Sequence, residues 1–176
     1  MLSVYKGRHH QNGFTLVEVT ITVIILGIIL SVAAVSYART SDGVSMTGAK
    51  RQVETAINRA ITSSRQENVS YRIVFYPRTD AAHPNSYEFL RNVESSGSWS
   101  MQPFDGSVSG ERVTADGGHY YIKLEGGVNL TNNSVVTIDI VPSGTTLQVT
   151  EAVVYLERGS ASSSVTVNSQ GKVKAQ

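Results

Sequence analysis

The chain has 176 residues, enough for one globular domain and an appended segment. Hydrophobic residues make up 40% and charged residues only 16%, with Ser, Thr, Gly and Asn taking up the difference, which favours a turn-rich β domain over a helical bundle. The lack of cysteine removes disulfides, thiolate zinc sites and cysteine nucleophiles, and a formal net charge of +1 excludes a globally basic nucleic-acid binder.

The first element is an apolar block. Phe14 to Val35 reads FTLVEVTITVIILGIILSVAAV, with Glu18 as its only charge. As a helix it would span about 33 Å, enough for the hydrocarbon core of a bilayer. Lys6, Arg8, His9 and His10 precede it, and Arg39 and Asp42 follow. The positive-inside tendency places the short leader in the cytoplasm and exports the C-terminal part. A secretory signal would have a shorter apolar region and a small-residue cleavage site, which Ser31-Val32-Ala33 matches weakly. Neither that reading nor a plain anchor accounts for Glu18. An acid at the centre of a membrane helix costs about 2.5–3.5 kcal/mol and normally has a partner.

Gly13-Phe14-Thr15-Leu16-Val17-Glu18 after a basic leader resembles the processing signal of type IV pilins and type II secretion pseudopilins. The resemblance implies that a prepilin peptidase cuts after Gly13 and methylates the new N-terminus at Phe14, and that Glu18 is the acid required for assembly. A free α-ammonium on Phe14 of one subunit could then pair with Glu18 of its neighbour, since a paired buried charge is far cheaper than an isolated one. Many members of this class carry a proline near the end of the apolar run. Val35 stands there in this chain, which predicts a straighter helix, and Gly27 is a candidate close-packing or bending point.

Beyond Tyr37 the pattern changes. Ser41-Asp42-Gly43 is a candidate break and Gly48 weakens the next turn. From Ala49 onward Val53, Ala56, Ile57, Ala60 and Ile61 recur at helical spacing, with Lys50, Arg51, Glu54, Asn58, Arg59 and Arg65 on the other face. This predicts one long helix from about Phe14 to Gln66, apolar all round in its first half and amphipathic in its second, with an interruption near Asp42 as an open alternative. The rest reads as strands: Val69–Phe75, Tyr87–Val93, Tyr120–Leu124, Val135–Val141, Thr146–Thr150, Ala152–Glu157, Val165–Asn168 and Lys172–Lys174. Glu94–Gly118, rich in Ser and Gly, is expected to lack regular structure and to be functional or mobile. With no βαβ rhythm the sheets should be antiparallel. The expected class is therefore α+β: a 1–13 leader, a 14–36 transmembrane or filament-core helix, a 37–67 amphipathic half and a 68–176 exported β-rich domain.

Helix 49–66, strand 69–76, Ile140-Val141-Pro142-Ser143-Gly144 and the ending Val165-Thr166-Val167-Asn168-Ser169-Gln170-Gly171-Lys172-Val173 resemble the GspH/FimT group of minor pseudopilins and minor pilins. That resemblance implies a long N-terminal helix packed on two antiparallel sheets. It also implies a subunit of a type II secretion pseudopilus, or alternatively of a type IV pilus tip. Its partners would be other pseudopilins or pilins, the prepilin peptidase and an inner-membrane assembly platform. It would be a single-pass protein of the bacterial inner membrane with a periplasmic domain.

No catalytic site is expected, nor any cofactor or metal. His9 and His10 lie in the leader, while His83 and His119 lack H-x-x-H spacing and a clustered carboxylate partner. No G-x-S-x-G supports a triad. Gly117-Gly118 and Gly126-Gly127 read as hairpin turns rather than phosphate cradles. An exported enzyme on an uncleaved anchor stands as a third reading. Trp99 and Phe104 are candidate partner contacts, with core plugging as the alternative. Arg158, Lys172 and Lys174 follow or border the last acid, Glu157. Gly171-Lys172-Val173-Lys174 resembles the basic tail with which some FimT-type pilins bind DNA, although lysine replaces the usual arginine and forfeits bidentate phosphate contact. Lysines that discourage pairing at an edge strand fit the same residues.

Overall fold

The computed structural model describes residues 14–92, 99–101 and 113–176. One helix, α1, spans Leu16–Glu67, and the boundary between the two compact units of the chain falls inside it, between Thr40 and Ser41. In the first unit the described apolar side chains of α1 are all exposed. In the second, Met46, Ala49, Val53, Ala56, Ile57, Ala60 and Ile61 form a buried stripe, the spacing that brings one helical face onto a core. The helix is not interrupted at Asp42-Gly43 or at Gly48. Gly48 serves close approach instead, since a Cβ there would stand 3.0 Å from Glu125 Oε2. Asn68, at φ 54°, follows the last turn in the left-handed conformation that commonly terminates helices.

Eleven strands follow among the described residues: β1 (Tyr71–Tyr76), β2 (Ser86–Asn92), β3 (Trp99–Met101), β4 (Val113–Asp116), β5 (His119–Lys123), β6 (Asn129–Leu130), β7 (Val136–Ser143), β8 (Thr146–Val149), β9 (Ala152–Arg158), β10 (Ala161–Val167) and β11 (Val173–Ala175). They form two sheets. The first runs β4-β5-β2-β1-β7-β8 with β3 also on β2, and the second runs β11-β10-β9-β6. Every pairing is antiparallel. The architecture is the α+β arrangement of a long N-terminal helix followed by antiparallel sheets.

Alternation along the strands builds the core. Tyr71, Ile73 and Phe75 of β1 face inward beside Ile138 and Ile140 of β7, while Val154, Leu156, Val165 and Val167 face inward from the second sheet. All of them join the α1 stripe in one cluster. Asn85, at φ 57°, ties the sheets together: its Oδ1 accepts the Leu130 N–H at 2.9 Å and its Nδ2 donates to Asn129 Oδ1 at 2.9 Å.

Two expectations need correction. Glu94–Gly118 is not wholly without regular structure, because β3 and β4 arise within it; residues 93–98 and 102–112 lie outside the described residues. Gly117-Gly118 does make a two-residue hairpin turn with φ 56° and 82°, the double positive φ that suits twisted strands. Gly126-Gly127 does not turn a hairpin. It closes a 3-10 turn over Glu125–Gly127 that carries the chain from β5 in the first sheet to β6 in the second.

Candidate functional site

The N-terminal segment is built around a cap. Thr15 precedes the first helical residue, and its N–H and its hydroxyl both donate to Glu18 Oε2 at 2.9 Å. The Glu18 N–H donates back to Thr15 Oγ1 at 3.2 Å. This is a reciprocal capping box, which satisfies amide donors that a helix start otherwise leaves open. Both donors on the Glu18 carboxylate are neutral, so its charge is not compensated by these contacts. Phe14 stands just before the cap and is 88% exposed. Gly13 lies outside the described residues.

Farther along, the Thr20, Thr22 and Ser31 hydroxyls donate to the carbonyls of Leu16, Glu18 and Ile28 at 2.7–2.8 Å. Such back-bonding satisfies hydroxyls that would be costly in hydrocarbon. The apolar window of α1 has a mean hydropathy of 2.6 and is long enough to cross a membrane. From Leu16 to Val35 its large side chains are all more than half exposed. Covering them would contribute on the order of 10–20 kcal/mol, so the segment requires lipid or other helices around it.

Residues 8–34 match the prokaryotic N-terminal methylation motif. No curated protein and no solved structure matches the chain. The motif, the apolar helix and the helix-then-sheets architecture together support the type IV pilin or pseudopilin class. This is a class of membrane-anchored single-pass proteins that are processed by prepilin peptidase and assemble with other pilins.

The other candidate residues are scattered. Trp99 is half-buried on β3, with the Arg72 guanidinium 4.2 Å from its ring centroid. Arg72 in turn pairs in two-pronged fashion with Asp139, at 2.5 and 2.9 Å, so Trp99 packs over an ion pair on the first sheet. Phe104 lies outside the described residues. Lys172 and Lys174 are exposed at the edge strand β11. Arg158 is not grouped with them. Opposite Ala161, it sits five residues along β10 from the partner of Lys174, about 17 Å along the strand. Its Nε donates to Asp42 Oδ1 at 2.8 Å and its Nη1 donates to the Gly126 carbonyl, so it fastens α1 to the turn between the sheets.

His83 and His119 differ from expectation, since each has a carboxylate partner. His119 Nδ1 lies 2.9 Å from Oε2 of Glu88, a residue only 5% exposed, and the Tyr76 hydroxyl donates to Glu88 Oε1 at 2.5 Å. His83 Nε2 lies 3.4 Å from Asp116 Oδ2, and its ring stacks on Tyr121 at 3.4 Å and 9°. Burial first, and then the bond to Glu88, pushes the Tyr76 phenol up. Burial, followed by the charges of Glu88, Asp116 and Asp80, raises Tyr121. Among the described residues no group of three or more metal-ligating side chains is placed to hold an ion. An open groove of about 540 Å³ lies beside the end of α1 and the β7–β8 turn, with Arg65 as its one charged lining residue.

Two features escaped the sequence reading. Thr15 as a partner of Glu18 was available from the T-x-x-E spacing that marks a capping box. The partners of the histidines were not, because Glu88 and His119 lie 31 residues apart and meet only through sheet register.

Proposed function

We propose that the chain is a minor pseudopilin, a GspH-like subunit of a type II secretion pseudopilus. It is made as a prepilin, cut between Gly13 and Phe14, N-methylated at Phe14 and inserted through the first half of α1. It acts as a structural subunit rather than an enzyme, and supports protein secretion from the inner membrane with its β domain on the periplasmic side. The observation that carries this reading is Glu18: a carboxylate whose donors among the described residues are neutral, at the start of an apolar helix half whose large side chains are more than half exposed, inside the matched methylation motif. An α-ammonium on a neighbouring Phe14 would supply the missing opposite charge and fix the axial register. The GspH-like assignment is supported by helix 49–66, the Pro142-Ser143-Gly144 turn and the Val165–Val173 ending on a two-sheet domain.

Mass spectrometry of membrane-extracted protein tests the processing: a chain beginning at methylated Phe14 is expected, and one beginning at unmethylated Met1 in a host with active prepilin peptidase refutes it. Glu18→Ala should still be processed yet fail to enter filaments, and normal incorporation would remove the pairing role. A second reading, a FimT-like minor pilin that touches DNA, is favoured by the exposure of Lys174 on the edge strand β11 and of Lys172 just before it.

A further inference from the structure

The β4–β5 hairpin is tied to the first sheet by a short ladder. β5 meets β2 only at Ser86↔Lys123 and Tyr87↔Ile122, whereas four residue pairs join β4 to β5. Beyond that ladder, toward Gly117-Gly118, the fastening passes to side chains. His119 of the hairpin reaches Glu88 of β2, and Asp116 of the hairpin reaches His83 of the loop after β1. The two contacts cross, each imidazole coming from the opposite side. Tyr121 lies between them, stacked on His83 with centroids 3.4 Å apart and on His119 at 6.1 Å. Tyr76 closes the group from β1, edge-on to both His83 and Tyr121.

Among the described residues, the charges around the imidazoles are of one sign. Glu88 from β2, Asp116 from β4 and Asp80 from the loop all act on the Tyr121 ring. Asp80 also accepts the backbone N–H of His83 at 2.7 Å. Arg78 of the same loop is exposed, and Lys123 of β5 is exposed and opposite Ser86, at the far end of the ladder from His119. Among the described residues, the histidines, once protonated, are therefore the cations placed to answer three carboxylates.

We propose that His83 and His119 form a proton-operated clasp that locks the β4–β5 hairpin against β1 and β2 when both imidazoles are charged and frees it when they are neutral. Histidine is the side chain whose ordinary charge change falls between pH 8 and 5. A proton on His119 turns its contact with the buried Glu88 carboxylate into a charge-assisted bond. A proton on His83 adds Coulomb attraction to Asp116 and a cation on the Tyr121 face. Both gains exist only while the hairpin is docked, so the docked form gains as pH falls from 8 to 5. Two partly exposed pairs and one ring contact together should shift the docking equilibrium about tenfold.

Hydrogen exchange on the full chain in detergent micelles, corrected for intrinsic rates, tests this at pH 5.5 and 8.0. Protection of amides in 113–123 should be about tenfold higher at pH 5.5 while β9–β10 stays constant. His83→Gln with His119→Gln should abolish the difference. Equal protection at both pH values, a difference shared by every strand, or one retained by the double variant overturns the clasp. Asp116→Asn keeps both imidazoles and alters only an exposed carboxylate. It should weaken the pH dependence, and an unaltered profile would overturn the two-histidine form. The readout concerns the β domain alone, so it is independent of processing at Phe14.

Discussion

Gly126 sits where three parts of the fold touch, and substituting it separates backbone strain from packing. Its φ is 64°, and an added Cβ would lie 2.6 Å from Ser45 Cβ, 2.8 Å from Ser45 Oγ and 3.0 Å from Arg158 Nη1. Gly126→Ala therefore meets two costs: the left-handed conformation, roughly 1–2 kcal/mol for a residue with a Cβ, and overlap with the backbone-fixed Cβ of α1, roughly 1–3 kcal/mol. Gly144 has a similar φ of 61° but nothing within 4 Å of an added Cβ, so Gly144→Ala should carry only the first. Equilibrium unfolding of the full chain in micelles, followed by β-sheet circular dichroism, should show Gly126→Ala as the more destabilised by about 1–3 kcal/mol. Adding Ser45→Gly removes the atom in the way, so the double variant should recover part of the loss, and the cycle should report a coupling of about 1–3 kcal/mol. Equal losses at the two glycines, or no coupling to Ser45, would refute the close docking of α1 on this turn.

Tyr71 is 1% exposed and its hydroxyl donates to Glu67 Oε1 at 2.8 Å; burial first, and then Glu67, pushes its phenol up to about 12. Between about pH 10 and 12 the folded chain keeps a proton that an unfolded tyrosine releases, so stability should fall as pH rises through that window. Tyr71→Phe should flatten the fall in urea midpoints between pH 9 and 11.5, and an unchanged slope would refute the assignment. For the basic edge, Lys172→Ala with Lys174→Ala should leave DNA retention in a gel shift unchanged if the lysines only guard β11. Loss of a salt dependence with a slope of about −1.8 would favour phosphate contact instead.

Local periodicity carried most of the fold. The α1 stripe from Val53 to Ile61 is buried as its spacing requires, and the alternation in Tyr71–Tyr76 produced a central strand. Short or weakly patterned elements were harder to read. β6 is two residues long, β4 lies in a Ser- and Gly-rich stretch, and β10 starts at Ala161 on a serine run with little apolar alternation. The glycine at 48 read only as a weakened helical turn because its reason is a side chain 77 positions away, Glu125. Arg158 looked like a free cation for the same reason, since its partner Asp42 lies 116 residues earlier. Pairings of that kind depend on register and helix docking, which no local window encodes. At the N-terminus the signal is local, so the apolar run and Glu18 could be read directly.

The helix itself gives the strongest physical reason for a partner outside the chain. The core of the β domain draws on α1 only from Met46 onward, and Gly27 has nothing within 4 Å of an added Cβ. Hydroxyls in the apolar half bond back to their own helix, and the first turn closes on itself through Thr15 and Glu18. Every polar group described there is thus turned inward or capped, while every large apolar group is turned outward. In water that arrangement would leave on the order of 10–20 kcal/mol of burial unrealised, comparable to the whole stability of a domain. Selection for folding of the β domain does not account for it, because none of those side chains belongs to that domain's core cluster. The segment calls for lipid or neighbouring helices to supply the missing contacts. On the proposed pairing, Glu18, the one charge in that stretch, is where a neighbour's chain end has most to gain.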